Sequence, residues 1–511
     1  MNKITFAAWG LGIALLGGGI ALAAEAPDYL HWPKPTGVNA KYAAIDGHRL
    51  HTYVEEQARI AEHYRDAGHP QFWGRISGTS GDAEAAQWLE KKFAAAGLSG
   101  TRIQTVNYLA PQWAPKSWSV SLTDGASNVP LTSAQPSYAS PDTGAKQIDL
   151  EIVSVGTGGE DEFANKDVRG KAVLLLKTSL SRQIGPQDVL KRIEAHGAAA
   201  ILSTDLRGGN FTAQSYKAYT HVPSFHLGTR DGEAIRAMIG KAGAAAHVKI
   251  RMEAGYESGQ KSFLVWGTLP GMTDETIYVI AHRDGWFDAA GDNASGVASM
   301  IGLAEYFAKL PKSQRQRTLV FIGGDGHHSI RPGEFGNEWI VANRARLFAK
   351  TALIINSEHP SVVQTHGNAA GWTDTMTPLE WFAGGPDRPQ LQKLFTDAFR
   401  TFGVPLWETP SKVPPAGDLG RFYWFLPGVV AQSNDFIDMH TTEDTPANVP
   451  WTGLEGVTRA YAKLIDEVNK IPLKDLQRPA MPDPNAKDSA ENVNLIKCAA
   501  WVQDSTKGCE P

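Results

Sequence analysis

Cysteine is almost missing from this chain: of 511 residues only Cys498 and Cys509 are cysteines, both close to the end. No disulfide framework therefore staples the body of the protein, and no thiolate cluster holds a metal there. Ten residues separate the two, which is no zinc spacing, and in an oxidising compartment they are expected to close a small loop in the tail. An excess of either charge is also lacking, since 49 Lys and Arg against 54 Asp and Glu leave a net charge of −5. That balance gives no electrostatic basis for holding nucleic acid or an anionic membrane. A long apolar run occurs once, uncharged from Ile4 to Ala24 after Met1-Asn2-Lys3. It closes on the small-x-small signal Ala21-Leu22-Ala23 and reads as a secretory signal peptide over residues 1–24. The alternative is a retained anchor, because about 20 apolar residues span a bilayer; the interior glycines weigh against it. After cleavage no membrane contact is expected, and the mature chain is periplasmic or secreted.

With 42% hydrophobic and 20% charged residues the chain is globular, and its length allows more than one domain. Amphipathic spacing predicts helices within residues 43–67 and over Asp82–Ala96, where Trp88, Leu89 and Phe93 form the stripe and Asp82 is the expected cap. Strands are expected at Thr101–Leu109 and Ser117–Thr123. From about Pro130 short strands (Ile148–Val155, Ala172–Leu176, Ala199–Leu202, Val222–Leu227) alternate with helices at Asp188–Ala195 and Asp231–Ile239. This predicts a self-contained α/β insert over residues 130–255, interrupting a larger unit of residues 25–129 and 256–473, with a polar tail at 474–511. In the second segment strands at Ser262–Gly267, Thr276–Ala281, Thr318–Ile322 and Ala352–Ile355 alternate with helices at Ser295–Leu310, Glu338–Leu347, Pro389–Phe402 and Leu454–Ile471. That alternation predicts a mixed, mainly parallel sheet with helices on both faces.

The chemistry-bearing residues gather at the ends of those strands. The first strand runs into His282, Asp284 and Asp292, the second into Asp325, His327 and His328, and the third into Glu358 and His359. A later turn carries Asp438, His440 and Glu443. Ligands of open α/β sheets sit beyond the carboxyl ends of the strands. Imidazole and carboxylate converging there suit zinc, with an open position for a water.

His282-Arg-Asp284, the eight-residue step to Asp292, and Gly291-Asp-Asn-Ala-Ser-Gly296 resemble the co-catalytic zinc exopeptidases, a family of secreted bacterial aminopeptidases, glutamate carboxypeptidase, glutaminyl cyclases and the metal-free transferrin receptor. The resemblance extends to Arg75-Ile-Ser-Gly-Thr79, Gly417-Asp-Leu-Gly-Arg-Phe422 and Met439-His-Thr-Thr442. The insert is similar to a protease-associated domain at Val168-Arg-Gly-Lys-Ala-Val-Leu174 and Ala195-His-Gly-Ala-Ala-Ala-Ile201. The resemblance implies two zinc ions bridged by Asp292, with His282 and Glu358 completing one site and His440 binding in the other. Asp284 is implied to hydrogen-bond His282 and fix its tautomer.

The family's Glu-Glu pair, general base then ligand, falls on His327 and His328 by strand count; a shifted register through Glu334 leaves Gly333 at the base. His328 is then the expected replacement ligand, and His327 or Asp325 the proton acceptor. Three functions follow: an exported zinc exopeptidase acting on peptide ends, aminopeptidase before carboxypeptidase; a binding protein silenced by the exchange; or a hydrolase or acyl transferase of a small non-peptide amide.

Overall fold

Aliphatic runs without polar interruption make strands that are covered on both faces. Thr276–His282, Thr318–Gly324 and Thr351–Glu358 are three such runs, and they lie side by side and parallel. The computed structural model describes residues 34–476 apart from 109–110, 145, 178–183, 206–208, 217–219, 329–338, 341–342, 363, 369–370, 376–379, 383–388, 409–430 and 434–435. The expected signal peptide, both cysteines, all but the first three residues of the tail and the Gly417–Phe422 motif lie outside these residues, as does part of the helix expected at Glu338–Leu347.

Side chains alternate across a strand, so the central one feeds two cores. Ile277, Val279 and Ala281 join a core roofed by the helices Gly47–Asp66, Ser80–Ala95, Ser295–Ala308 and Trp451–Val468. Tyr278 and Ile280 face the opposite core, with Ile340 and Phe348. The sheet has eight strands among the described residues. Beyond the three parallel strands, Lys261–Leu269 and Ser99–Asn107 add antiparallel pairs on one side; Ala431–Ser433, Glu380–Phe382 and Leu406–Glu408 extend the other. The mixed α/β class therefore holds. In helix Ser80–Ala95 the structure corrects the expected cap: the Thr79 hydroxyl accepts from the Asp82 N–H, while the Asp82 carboxylate reaches back to the Gly78 N–H. This reciprocal arrangement satisfies two otherwise bare donors.

A second eight-stranded sheet is built from residues lying between Ser99–Asn107 and Lys261–Leu269. Its stem is the antiparallel pair Gln112–Thr123 and His247–Glu257, running from Gln112 opposite Glu257 to Thr123 opposite His247 with a shift of register between Glu253 and Ala254. Gln112–Thr123 lies ahead of residue 130 and His247–Glu257 runs two residues past 255. Ile148–Ser154 follows antiparallel, and Ala172–Leu176, Ala200–Thr204 and Ser224–Leu227 continue parallel. No helix among the described residues is long and apolar enough to cross a membrane.

Candidate metal centre

Parallel strands end at the same edge, so the three central strands deliver His282, the segment after Gly324, and Glu358 to one place. What fixes the loops there is a set of buried cations. Arg75, from the short strand Gly74–Arg75 paired with Gly285–Trp286, donates to the carbonyls of Arg283, Gln57, Asp288 and Ala289 at 2.7–3.1 Å. Burial lowers its pKa to about 10, so it stays charged while holding the 283–289 turn. Arg283 is also buried and bonds the carboxylate of Asp82, the carbonyl of Phe263 and, at 3.3 Å, Asp325.

That network accounts for Asp325, and it corrects the expectation that Asp325 reaches the site. Its carboxylate accepts from the Ser262 hydroxyl and from the Phe263 N–H at 2.8 Å, and it belongs to none of the candidate metal-holding groups among the described residues. Burial, then the neighbouring charge of Asp82, raises its pKa well above the carboxylate range.

Asp292 sits in the turn Ala290–Ala294 ahead of helix Ser295–Ala308, and its peptide bond to Asn293 is cis. Asp444 anchors this turn by accepting the N–H groups of Gly291 and Asp292 at 2.6 and 3.1 Å. Burial raises the Asp444 pKa to about 7 against the pull of those bonds. Asn293 ties the turn to the third strand: its amide donates to the Ser357 carbonyl at 3.0 Å, and its oxygen accepts from the His359 N–H at 3.1 Å.

The two carboxylate oxygens of Asp292 face different imidazoles. Oδ1 lies 3.2 Å from His282 Nε2 and 3.1 Å from His359 Nε2. Oδ2 lies 3.2 Å from His328 Nε2 and 2.9 Å from His440 Nε2, and those two nitrogens are 3.0 Å apart. Burial opposes the charge on Asp292, but His328 and His359 keep its pKa well below the ordinary value. Glu358 adds Oε1 at 3.9 Å from His282 Nε2, while its Oε2 accepts from the Asn356 amide at 2.5 Å.

Asp284 lies behind the imidazoles. His282 Nδ1 is 3.1 Å from the Asp284 carbonyl, which only accepts, so Nδ1 carries the hydrogen and the Nε2 lone pair faces Asp292. The Asp284 carboxylate stands 3.5 Å from His282 Nδ1 and 3.4 Å from His328 Nδ1, and accepts from Ser77 Oγ at 2.9 Å and the His328 N–H at 3.0 Å. Burial works against its charge, but the bonds from His282 and His328 hold its pKa well below normal. Burial lowers and Asp292, then Asp284, raises the His328 pKa, with the outcome at about 9. His327 stacks on His282 with ring centres 4.0 Å apart, its Nε2 3.8 Å from Glu358 Oε1.

These are geometries that could hold a cation. Zinc bonds of about 2.0–2.2 Å put tetrahedral donors about 3.3–3.5 Å apart, close to the spacing of His328, His440 and Asp292. Asp292 Oδ1 is buried and accepts no hydrogen bond although two imidazole nitrogens face it, as expected of atoms arranged around a common centre. The candidate groups among the described residues include His282–Asp292–His359 and Asp292–His328–His440.

Residues 265–465 match the model of peptidase family M28. This segment is similar to that peptidase family. No curated protein matches the sequence. The M28 precursor from Shewanella amazonensis is similar in fold, at 17% identity and a TM-score of 0.58, over 86% of this chain and all of that one. So is BSAP, a zinc aminopeptidase from Bacillus subtilis, at 14% identity and 0.56, over 87% of this chain and 97% of that one. The aminopeptidase of Aneurinibacillus sp. strain AM-1 gives 16% identity and 0.52, with the same coverage.

A loop of the second sheet's segment, between Ala200–Thr204 and Ser224–Leu227, reaches the first sheet's segment at this site. Ala213 pairs with Thr441, the Gln214 N–H donates to the His440 carbonyl at 2.9 Å, and the Thr442 N–H donates to the Thr212 carbonyl at 3.0 Å. Beside the imidazoles opens a cavity of about 530 Å³ lined by Phe72, Trp113, Trp118, Tyr138 and Trp286, with Glu257 and Lys116 also in its wall. Trp286 lies 4.6 Å from the His328 ring and 4.9 Å from that of His440. Sequence reasoning assigned no role to His359, Asp444, Asn293 or Trp286. A strand-end signal did exist for His359, the residue after Glu358.

Proposed function

We propose that the protein is an exported, zinc-dependent exopeptidase of two metal ions that removes residues from the amino terminus of peptides. The observation that carries this reading is the division of Asp292, each of whose oxygens faces its own pair of imidazole nitrogens. In this reading His282 and Glu358 would hold one ion, His328 and His440 the other, and Asp292 would be shared between them. When bound, such a pair supplies Lewis acidity and lowers the pKa of water. Asp284 keeps the Nε2 lone pairs of His282 and His328 turned inward. His327, not Asp325, takes the proton from the attacking water and returns it to the leaving amine, since Asp325 is committed to Arg283. The aromatic cavity favours a bulky apolar side chain, which Trp286 and Tyr138 would cover. The second sheet, over residues 112–257, is read as a protease-associated insert that walls this cavity.

A second reading, a binding protein on the same scaffold, draws support from the imidazole of His327 standing at the expected place of a carboxylate base. Zinc analysis of purified protein and hydrolysis of amino-terminal anilides against acyl-amino acids test the first reading. His327→Ala should keep the zinc and lose about 10²–10⁴ in kcat. A preparation without tightly bound zinc, or one whose His327→Glu variant alone is active, would favour the binding protein.

A further inference from the structure

We propose that His359 completes one metal position with protein donors alone, so that the two positions differ in kind and only the one at His328 and His440 keeps a place for water and substrate. The inference rests on the metal-centre reading above. Beside Asp292 Oδ1 stand His282 Nε2 at 3.2 Å and His359 Nε2 at 3.1 Å, and Glu358 Oε1 joins those two nitrogens as a fourth donor, 3.9 Å from the first and 4.0 Å from the second. Four donors fill a tetrahedral zinc site, the condition of a closed structural centre. Around Asp292 Oδ2 the described residues place two, His328 Nε2 and His440 Nε2, making three donors among them, one short of a closed tetrahedral set.

The placement of His359 is enforced by its surroundings. It is buried, with 3% of its surface exposed, and its backbone sits at φ +47°, a left-handed conformation that a histidine rarely adopts without cause. Its N–H is held by Asn293 Oδ1, and its ring packs edge-on against Phe436 at 5.7 Å. Asn293 follows the bridging Asp292 directly, so the residue that orients His359 belongs to the turn that presents the bridge. Trp286 and Tyr216 pack against His440, and Trp286 also covers His328, which sets the aromatic cavity beside the three-donor position. Substrate therefore enters on the open side, while the His282 and His359 side acts as an anchor that fixes Asp292.

The test is metal release from the full-length zinc protein. Wild type is expected to hold two zinc ions that leave a chelator-containing buffer at two rates, one fast and one slow. His359→Ala and the milder His359→Asn should keep two ions but merge the rates, the slow ion leaving on the order of tenfold faster or more. Cobalt(II) loading gives an independent readout. The visible bands of the ion at the slow position should shift in both variants as an imidazole nitrogen is exchanged for water, while those of the fast position stay unchanged. Folding of the variants is checked by the unchanged fast phase. Two ions released at one rate in wild type, or two unchanged rates in both variants, would overturn the inference and leave the two-metal reading standing. A wild type without tightly held metal would overturn both.

Discussion

Asp284→Asn gives a sharp test of the site, because the exchange keeps shape and removes only charge and one acceptor. Every group facing this carboxylate is a donor: the Ser77 hydroxyl, the N–H groups of His327 and His328, and the Nδ1 atoms of His282 and His328. An amide nitrogen on either side therefore meets a backbone N–H at 3.0 or 3.4 Å, and on the Oδ2 side the Ser77 hydroxyl would have to turn from donor to acceptor to receive it. A buried donor left without an acceptor costs about 1–3 kcal/mol. The two imidazoles also lose the charge behind them, and such partners of metal-binding histidines are worth about 10–100-fold in affinity. The expected result is a metal-free protein about 1–3 kcal/mol less stable to urea at pH 7, with zinc affinity down by about 10–100-fold in competition with a chromophoric chelator. The pH dependence has a definite sign. The Asp284 pKa is depressed in the folded state, so its contribution is complete above the unfolded value of about 4 and is lost as the pH falls through the folded one. The deficit of the variant should thus shrink only under strong acid. Zinc affinity within twofold of wild type would refute the assignment of Asp284 as the carboxylate that orients both rings.

Two further outcomes follow from the buried charges. Arg283→Met leaves Asp82 and Asp325 buried without their cation and should cost about 3–5 kcal/mol in urea unfolding, most of it recovered when both carboxylates are also neutralised. Asp288 is mostly buried and, through burial and the charge of Glu62, has its pKa raised to about 6. A raised carboxylate favours the native state below the unfolded pKa of about 4 and loses that stability as pH rises through 6. Asp288→Asn should accordingly gain about 1–2 kcal/mol at pH 7, allowing for partial solvation, and nothing at pH 4; equal stability at both would be inconsistent with that shift.

The central strands were legible because parallel strands covered on both sides have to be apolar throughout, and their polar ends stand out against that background. The same rule found His282, Asp292, His328 and Glu358 without showing which way each side chain points. Asp325 illustrates the limit. It follows Gly324, which is in register with His282, and the two-residue period of a strand turns it toward Ser262 and Phe263 on the other side. His359 escaped for a related reason: its direction depends on a left-handed backbone and on Asn293, neither visible in spacing. The strand His247–Glu257 was overlooked although Val248, Ile250 and Met252 alternate with Lys249 and Arg251, a pattern readable as a strand with one wet face. Asp82 was read as a simple cap because nothing local announces that Arg283, some 200 positions later, needs a counter-ion.

The bridge between Ala213 and Thr441 makes the added sheet more than an ornament on a self-sufficient enzyme. Because the loop that presents His440 borrows main-chain partners from Thr212 and Gln214, trimming residues 112–257 to obtain a minimal peptidase would also unhinge one of its imidazoles. By the same linkage, and on the function proposed above, a tilt of the outer sheet would be passed to His440, so that grip on the substrate and grip on the ion would be one mechanical quantity.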